Sequence, residues 1–113
     1  MAGSVMSRNL GELEQLVLLA LIRLGDEAYG VTVQTEIEER TGRAAAFATV
    51  YTTLGRLESK GFVASHTGSP TPERGGRAKK HFKVTAAGRA ALGRSLRDIS
   101  SMAHGLGAPW GRT

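Results

Sequence analysis

The chain has 113 residues and a net charge of +5, a length that suits one domain with a modest core. It has no Cys, which excludes disulfides and thiolate metal sites and fits a reducing cytosol. Residues 1–10 lack the apolar segment of a signal peptide, and the longest apolar run, residues 16–22, is too short to cross a bilayer. We therefore expect a soluble cytoplasmic protein with no membrane partner.

The charge is divided unevenly along the chain. Residues 1–45 hold four Arg against seven acidic residues, a net charge of −3, whereas residues 46–113 hold 11 Lys and Arg against three acidic residues, a net charge of +8. A polyanion would approach the basic half. A basic surface that is merely solvated explains this distribution equally well, so charge alone does not decide between the two interpretations.

The first predicted helix covers residues 10–24 and ends at Gly25. Its residues 16–22 are apolar without interruption, although a helix with a single buried side needs polar residues on the other. Burial within one domain is an alternative, but so short a chain has few elements with which to surround the helix. We favour a second subunit as the cover for Leu16 and Leu19.

The second predicted helix covers residues 29–41 and ends at Gly42, which can adopt the left-handed conformation. Apolar side chains recur every four residues and form its predicted buried stripe: Tyr29, Val33 and Ile37.

The third predicted helix covers residues 47–60, and its two faces differ in composition. One narrow face is apolar and should be core: Val50, Leu54 and Leu57. The opposite face, called here the small-residue face, has no acid: Ala48, Thr52, Gly55 and Ser59, with Thr49 and Arg56 at its edge. Small residues allow close approach to a groove, and Thr and Arg can contact phosphate and base. An ordinary exposed face more often carries Glu–Lys pairs, so we favour nucleic-acid docking.

Two strands are predicted next, at residues 62–67 and 80–84, with an alternating apolar and polar pattern in the second. The connection at residues 68–79 contains two Pro, three Gly and three cations, which suits close approach to a phosphate chain. A flexible basic loop is the alternative. Because the hairpin directly follows the third helix, we expect a winged helix-turn-helix, mainly α with a small β-hairpin, in which residues 68–80 are the basic wing.

A last helix should run from residue 86 to residue 104 or 105, capped by Thr85. Its apolar residues step by 4, 3, 4 and 3, a seam similar to that of a coiled coil: Leu92, Leu96, Ile99, Ala103 and Leu106. The helix is too short to be stable alone. Packing on its own domain is one solution; we favour pairing with a partner's first helix, which would bury both apolar surfaces.

No pattern indicates catalysis, a metal site or a cofactor. The three histidines, His66, His81 and His104, are scattered without ligand spacing. No phosphate-binding P-loop occurs, and no signature places a Ser beside a His and an acid. We therefore do not expect an enzyme.

Three segments, residues 16–30, 49–63 and 75–92, together resemble the PadR family of bacterial transcriptional regulators. The single helix after the wing is similar to that of the smaller subgroup, whose members form dimers through the last and first helices. The resemblance implies a repressor released by a small-molecule effector of unknown identity. It also implies a role in DNA binding for the residues that match the family's third helix and wing: Thr49, Tyr51, Arg56, Gly76, Arg77, Lys79 and Lys80.

The chain departs from the family pattern in two places. Ala46 and Phe47 replace the Ser and Pro that commonly open the recognition helix, which removes a capping hydroxyl. Drug-binding small members also carry a Trp on the last helix, whereas residues 86–106 have no aromatic residue and Trp110 lies beyond them.

We accordingly expect a homodimeric regulator bound to double-stranded DNA at a near-palindromic operator. Residues 1–85 would form the winged-helix domain, residues 86–106 the dimerisation helix and residues 107–113 a flexible tail. The expected DNA contacts are Thr49, Tyr51, Thr52, Arg56, Arg74, Gly76, Arg77, Lys79 and Lys80, and the expected dimer contacts are Leu16, Leu19, Leu92, Leu96, Ile99, Ala103 and Leu106. The alternatives are a winged-helix module that docks an acidic protein, and a small-molecule sensor with secondary DNA binding.

Overall fold

The computed structural model describes residues 10–68 and 79–107. Within these ranges, four helices and one hairpin follow in the predicted order: α1 (Glu12–Leu24), a 3-10 turn (Gly25–Glu27), α2 (Gly30–Thr41), α3 (Phe47–Ser59), β1 (Val63–Thr67), β2 (Lys80–Val84) and α4 (Ala86–Ala103). The predicted fold class is confirmed, with boundaries within two residues. None of the described helices combines the length and the apolarity needed to cross a bilayer.

The core lies among the first three helices and the inner side of the hairpin. Its largest fully buried side chains come from all three helices: Val17, Leu18, Val33, Val50, Leu54 and Leu57. The last three are the predicted apolar face of α3. Tyr29, predicted to lie in the stripe of α2, is only half-buried. It precedes the helix in an extended conformation (φ −141°, ψ 173°), so its side chain leaves the helical stripe.

A buried carboxylate joins the start of α1 to the end of α3. Glu14 is 7% exposed; its Oε1 accepts from the backbone N–H of Gly11 at 2.8 Å, and its Oε2 accepts from Lys60 Nζ at 2.8 Å. Both carboxylate oxygens are therefore satisfied, which a charge at this depth requires. The contact aligns α3 against α1.

A surface ion-pair network joins α1 to α2. Glu36 on α2 accepts from Arg40 Nε at 2.6 Å and from Arg23 Nε of α1 at 3.1 Å. The hydrogen bond from Arg40, with a smaller contribution from Arg23, lowers the pKa of the Glu36 carboxyl from its ordinary value. Because these side chains are solvent-screened, the network adds little to the free energy of unfolding.

The hairpin is tied to the segment that precedes α2. The strands β1 and β2 are antiparallel, with Val63 opposite Val84, and Phe82 and Val84 point into the core. The backbone N–H of Phe82 donates to the carbonyl oxygen of Ala28 at 2.9 Å, and Tyr29 forms a β-bridge with His81. Residues 28 and 29 thus extend the hairpin as a rudimentary third strand, which sets the position of the hairpin against the helices.

The start of α4 is locked to the turn that follows α3. Thr85 caps α4 as predicted, since its Oγ1 accepts from the N–H of Gly88 at 3.0 Å; the same hydroxyl donates to the carbonyl oxygen of Gly61 at 2.7 Å. The helix backbone passes so close to this turn that a Cβ on Gly88 would lie 2.1 Å from the carbonyl oxygen of Phe62. Only Gly fits there.

Only the first half of α4 packs against its own domain. Leu92, a predicted dimer residue, is 4% exposed because it lies in the core of its own chain. The helix ends at Ala103, one or two residues earlier than predicted, and Gly105 follows with φ +85°. Leu106 therefore lies beyond the helix, and the predicted apolar seam is helical only as far as Ala103.

We predict that Gly88→Ala lowers the free energy of unfolding by at least about 2 kcal/mol, because the added methyl meets backbone that cannot move aside. Gly93→Ala in the same helix is the matched control: its nearest neighbour would be the flexible end of Arg97 at 3.3 Å. That substitution should raise stability by up to about 1 kcal/mol. Urea denaturation of both variants tests this, and equal effects would contradict it.

Candidate nucleic-acid interface

The small-residue face of α3 is open to solvent. All six of its residues are exposed, and a Cβ placed on Gly55 would have no neighbour within 4 Å. Beneath it, Thr53 is 3% exposed and donates its hydroxyl to the carbonyl oxygen of Thr49 at 2.8 Å. The apolar pattern did not identify Thr53 as core, because Thr is polar. Its hydroxyl can be buried because it is hydrogen-bonded within the helix. The exposed surface is thus formed by helix backbone and small side chains, with Arg56 as its one long side chain.

Arg56 is the one cation of this face. It is exposed, and in the described ranges no carboxylate lies within 4.0 Å of its guanidinium. By contrast, Arg23, Arg40 and Arg43 each contact a Glu. An unneutralised guanidinium at the edge of an acid-free helix face is suited to an anion or a base edge.

An aromatic pair forms the edge of α3 that faces the hairpin. Phe47 and Tyr51 are 43% and 42% exposed, and their rings stack with centroids 5.7 Å apart at 23°. Tyr51 also meets the Phe82 ring edge-on at 6.1 Å. Tyr51 was expected to contact DNA; the contacts described for its ring are packing contacts within the chain. Phe47 was not among the candidate residues.

Of the predicted wing residues, the described ranges include only Lys79 and Lys80; Arg74, Gly76 and Arg77 lie outside them. Lys79 Nζ donates to the Tyr29 hydroxyl at 3.3 Å and lies 4.5 Å from the centroid of that ring. Lys80 Nζ lies 3.9 Å from Glu58 Oε1 and 5.6 Å from the Phe82 ring centroid. Both ammonium groups are exposed, and Lys80 is partly neutralised by Glu58.

Two histidines that are distant in sequence meet on the hairpin. His66 lies opposite His81 in the strand register, and their rings stack with centroids 5.5 Å apart at 17°. These two histidines are 15 residues apart in sequence but adjacent in the structure, because the strand register places them opposite each other. Among the described residues, no group of three or more potential metal ligands is found.

The predicted dimer residues have different environments. Leu16 and Leu19 are half-buried and pack against the side of the core. Ala103, at the end of α4, is also half-buried. Four exposed large apolar side chains lie in and just after the second half of α4: Leu96 at 40%, Ile99 at 64%, Met102 at 80% and Leu106 at 58%. Met102 was not among the predicted residues, since it lies to one side of the heptad-like seam.

The family model for PadR-like transcriptional regulators matches residues 18–94, well over half of the chain. The chain belongs to the PadR-like family. The resemblance stated from three sequence segments is thus confirmed, and members of this family are transcription regulators rather than enzymes. No curated protein matches the sequence at a significant level.

Solved structures of transcriptional regulators have the same fold. A PadR-like transcription factor from Bacteroides fragilis superposes with a TM-score of 0.68 at 20% identity, over 93% of this chain and 94% of the other. A transcriptional regulator from Clostridium thermocellum superposes with a TM-score of 0.68 at 22% identity, over 80% of this chain and 82% of the other. Bacillus subtilis PadR in complex with operator DNA superposes with a TM-score of 0.64 at 24% identity, over 75% of this chain and 46% of the other.

Proposed function

We propose that this chain is a homodimeric transcriptional repressor that binds double-stranded DNA through α3 and the wing. The observation that carries the proposal is the exposed, acid-free small-residue face on the helix that precedes the hairpin. The related Bacillus subtilis PadR was solved on its operator DNA, which supports the same class of partner here. In this arrangement α3 enters the major groove, and the wing lies on the flanking backbone or in the minor groove.

The side chains divide between base contacts and backbone contacts. Thr49, Thr52 and Arg56 face the groove, where hydroxyl and guanidinium groups bind base edges and phosphate. Tyr51 is at the edge of α3 opposite Thr49 and Arg56, and it lies nearer to the sugar-phosphate backbone of the DNA. The remaining phosphate contacts come from the wing: Arg74, Gly76, Arg77, Lys79 and Lys80.

Arg56→Ala should weaken binding to the preferred DNA sequence by about 1–3 kcal/mol, whereas Lys79→Ala should weaken binding to all sequences and reduce its dependence on salt. Arg94→Ala removes the same charge from the exposed side of α4 and is the control. It should change neither the affinity for DNA nor the salt dependence of binding. Salt titrations of specific and unrelated duplexes measure both effects. Wild-type binding by the Arg56 and Lys79 variants would show that the assigned surface is wrong.

Gly55→Ala tests whether the helix backbone approaches DNA closely. A methyl group has free space at this position, so the variant should be more stable than wild type by up to about 1 kcal/mol. The same methyl would stand between α3 and the groove, so specific affinity should fall severalfold. Gly93→Ala should be stabilised similarly with unchanged affinity. If Gly55→Ala binds DNA as well as Gly93→Ala does, the small-residue face is not the contact surface.

The dimer is proposed from the apolar surface that one chain leaves uncovered. The second half of α4 carries Leu96, Ile99 and Met102 in solvent, and a helical segment without packing partners is marginally stable in water. On α1 and α2, a groove is lined by five apolar residues and four polar or charged ones: Leu16, Leu19, Ala20, Ile22 and Ile37, with Arg23, Glu36, Arg40 and Thr41. A partner's α4 in or beside this groove would bury both surfaces, and each fully buried Leu or Ile contributes about 1.5–3 kcal/mol.

Ile99→Asp should convert the dimer to a monomer, because an unpaired carboxylate would be buried at the interface. Ser101→Asp adds the same charge two residues away, on the opposite side of α4 from the seam, and should leave the dimer intact. Sedimentation velocity at micromolar concentration distinguishes the two states. A monomeric wild-type protein would refute the dimer.

Selection of bound duplexes from a random pool tests the function itself. A dimer with two-fold symmetry should recover a near-palindrome with half-site centres about 10 base pairs apart, or a multiple of that spacing. Weak binding without sequence preference would contradict the proposal and favour a module that docks an acidic protein.

A further inference from the structure

Phe47 is a large apolar side chain at the first position of α3, and 43% of it is exposed. It lies outside the buried core that its neighbours Val50 and Leu54 form. The proposed DNA contacts of α3 do not involve it. The exposed ring at the N-terminal end of α3 therefore has no role in the function proposed above.

The ring lies where DNA would pass. It occupies the edge of α3 turned toward the hairpin, as two other residues on this edge show. Tyr51, one turn after Phe47, contacts Phe82 of β2. Glu58, two turns after Tyr51, accepts a hydrogen bond from Ser65 Oγ of β1 at 2.6 Å. Phe47 thus lies at the N-terminal end of α3, on the edge that faces the hairpin strands. In helix-turn-helix proteins the N-terminal residues of the recognition helix contact base edges.

Two contacts hold the ring in place. It stacks on Tyr51, and it lies against the first turn of α2 so closely that a Cβ on Gly30 would be 2.7 Å from Phe47 Cε1. A ring already fixed by its neighbours loses little conformational entropy on binding. Its position is therefore set before DNA arrives.

The chemistry of the ring limits what it can recognise. Phenylalanine has no hydrogen-bonding group, so it cannot distinguish bases by their donors and acceptors. In the major groove the apolar feature of a base edge is the 5-methyl group of thymine, and apolar side chains contact it. Cytosine and the purines offer no equivalent group.

We propose that Phe47 is a specificity-determining residue that selects thymine in each half-site by contact with its 5-methyl group. The inference rests on the proposed function, because it requires α3 to lie in the major groove. It assigns to Phe47 a contribution that the polar residues of the small-residue face do not make.

The test uses the duplex recovered by selection, with each thymine replaced singly by deoxyuridine, which removes the methyl group and keeps every hydrogen-bonding group. For wild type, uracil at one position of a half-site should weaken binding about fourfold, the effect of one methyl-sized apolar group. For Phe47→Ala, uracil at that position should have no effect. Thr49→Ser, Thr52→Ser and Ala48→Gly each remove a side-chain methyl group from the small-residue face and should keep the uracil effect.

The outcomes separate this inference from the proposed function. If wild type binds every uracil duplex as tightly as the thymine duplex, the inference is overturned although sequence-specific binding stands; this scan requires no variant to fold. If the uracil effect persists in Phe47→Ala, with the fold verified by circular dichroism, another residue contacts the methyl group and the inference is also overturned. If selection recovers no preferred sequence, the proposed function itself fails.

Discussion

The hydrogen bond from the backbone N–H of Phe82 to the carbonyl oxygen of Ala28 sets the geometry on which the proposed interface depends. It joins β2 to the segment before α2, while the Phe82 side chain enters the core and meets Tyr51 of α3. One residue thus connects the hairpin to both helices of the helix-turn-helix. Because a winged helix binds DNA with two elements at once, their fixed relative position matters as much as the side chains they carry.

Close backbone approaches complete this framework. Gly30 lets α2 pass under the rings of Phe47 and Tyr51, and Gly88 lets α4 start directly against the turn that follows α3. Since Thr85 and Gly88 fix the start of α4, its direction is determined before the helix leaves its own domain. The exposed apolar residues of its second half are therefore presented at a defined angle, which suits a symmetric dimer that must place two recognition helices on one duplex.

The fold was largely predictable from sequence because its signals are local. The 3.6-residue period separated the core side of α3 from its small-residue face, and Gly and Thr85 marked the helix ends. Features that depend on tertiary structure were not predictable. Pairing of His66 with His81 depends on strand register, and burial of Thr53 depends on a hydrogen bond within the helix. The exposure of Phe47 depends on what α2 leaves uncovered. The DNA and dimer contacts remain predictions, because they depend on molecules other than this chain.

In the proposed complex, α3 of each subunit occupies the major groove of a two-fold-symmetric site. Dimethyl sulfate footprinting can detect this placement, because the reagent methylates guanine N7 in the major groove and adenine N3 in the minor groove. Guanine N7 should be protected in two patches whose centres lie about 10 base pairs apart, or a multiple of that spacing, related by the dyad of the site. Unchanged N7 reactivity throughout a duplex that the protein occupies would contradict this placement.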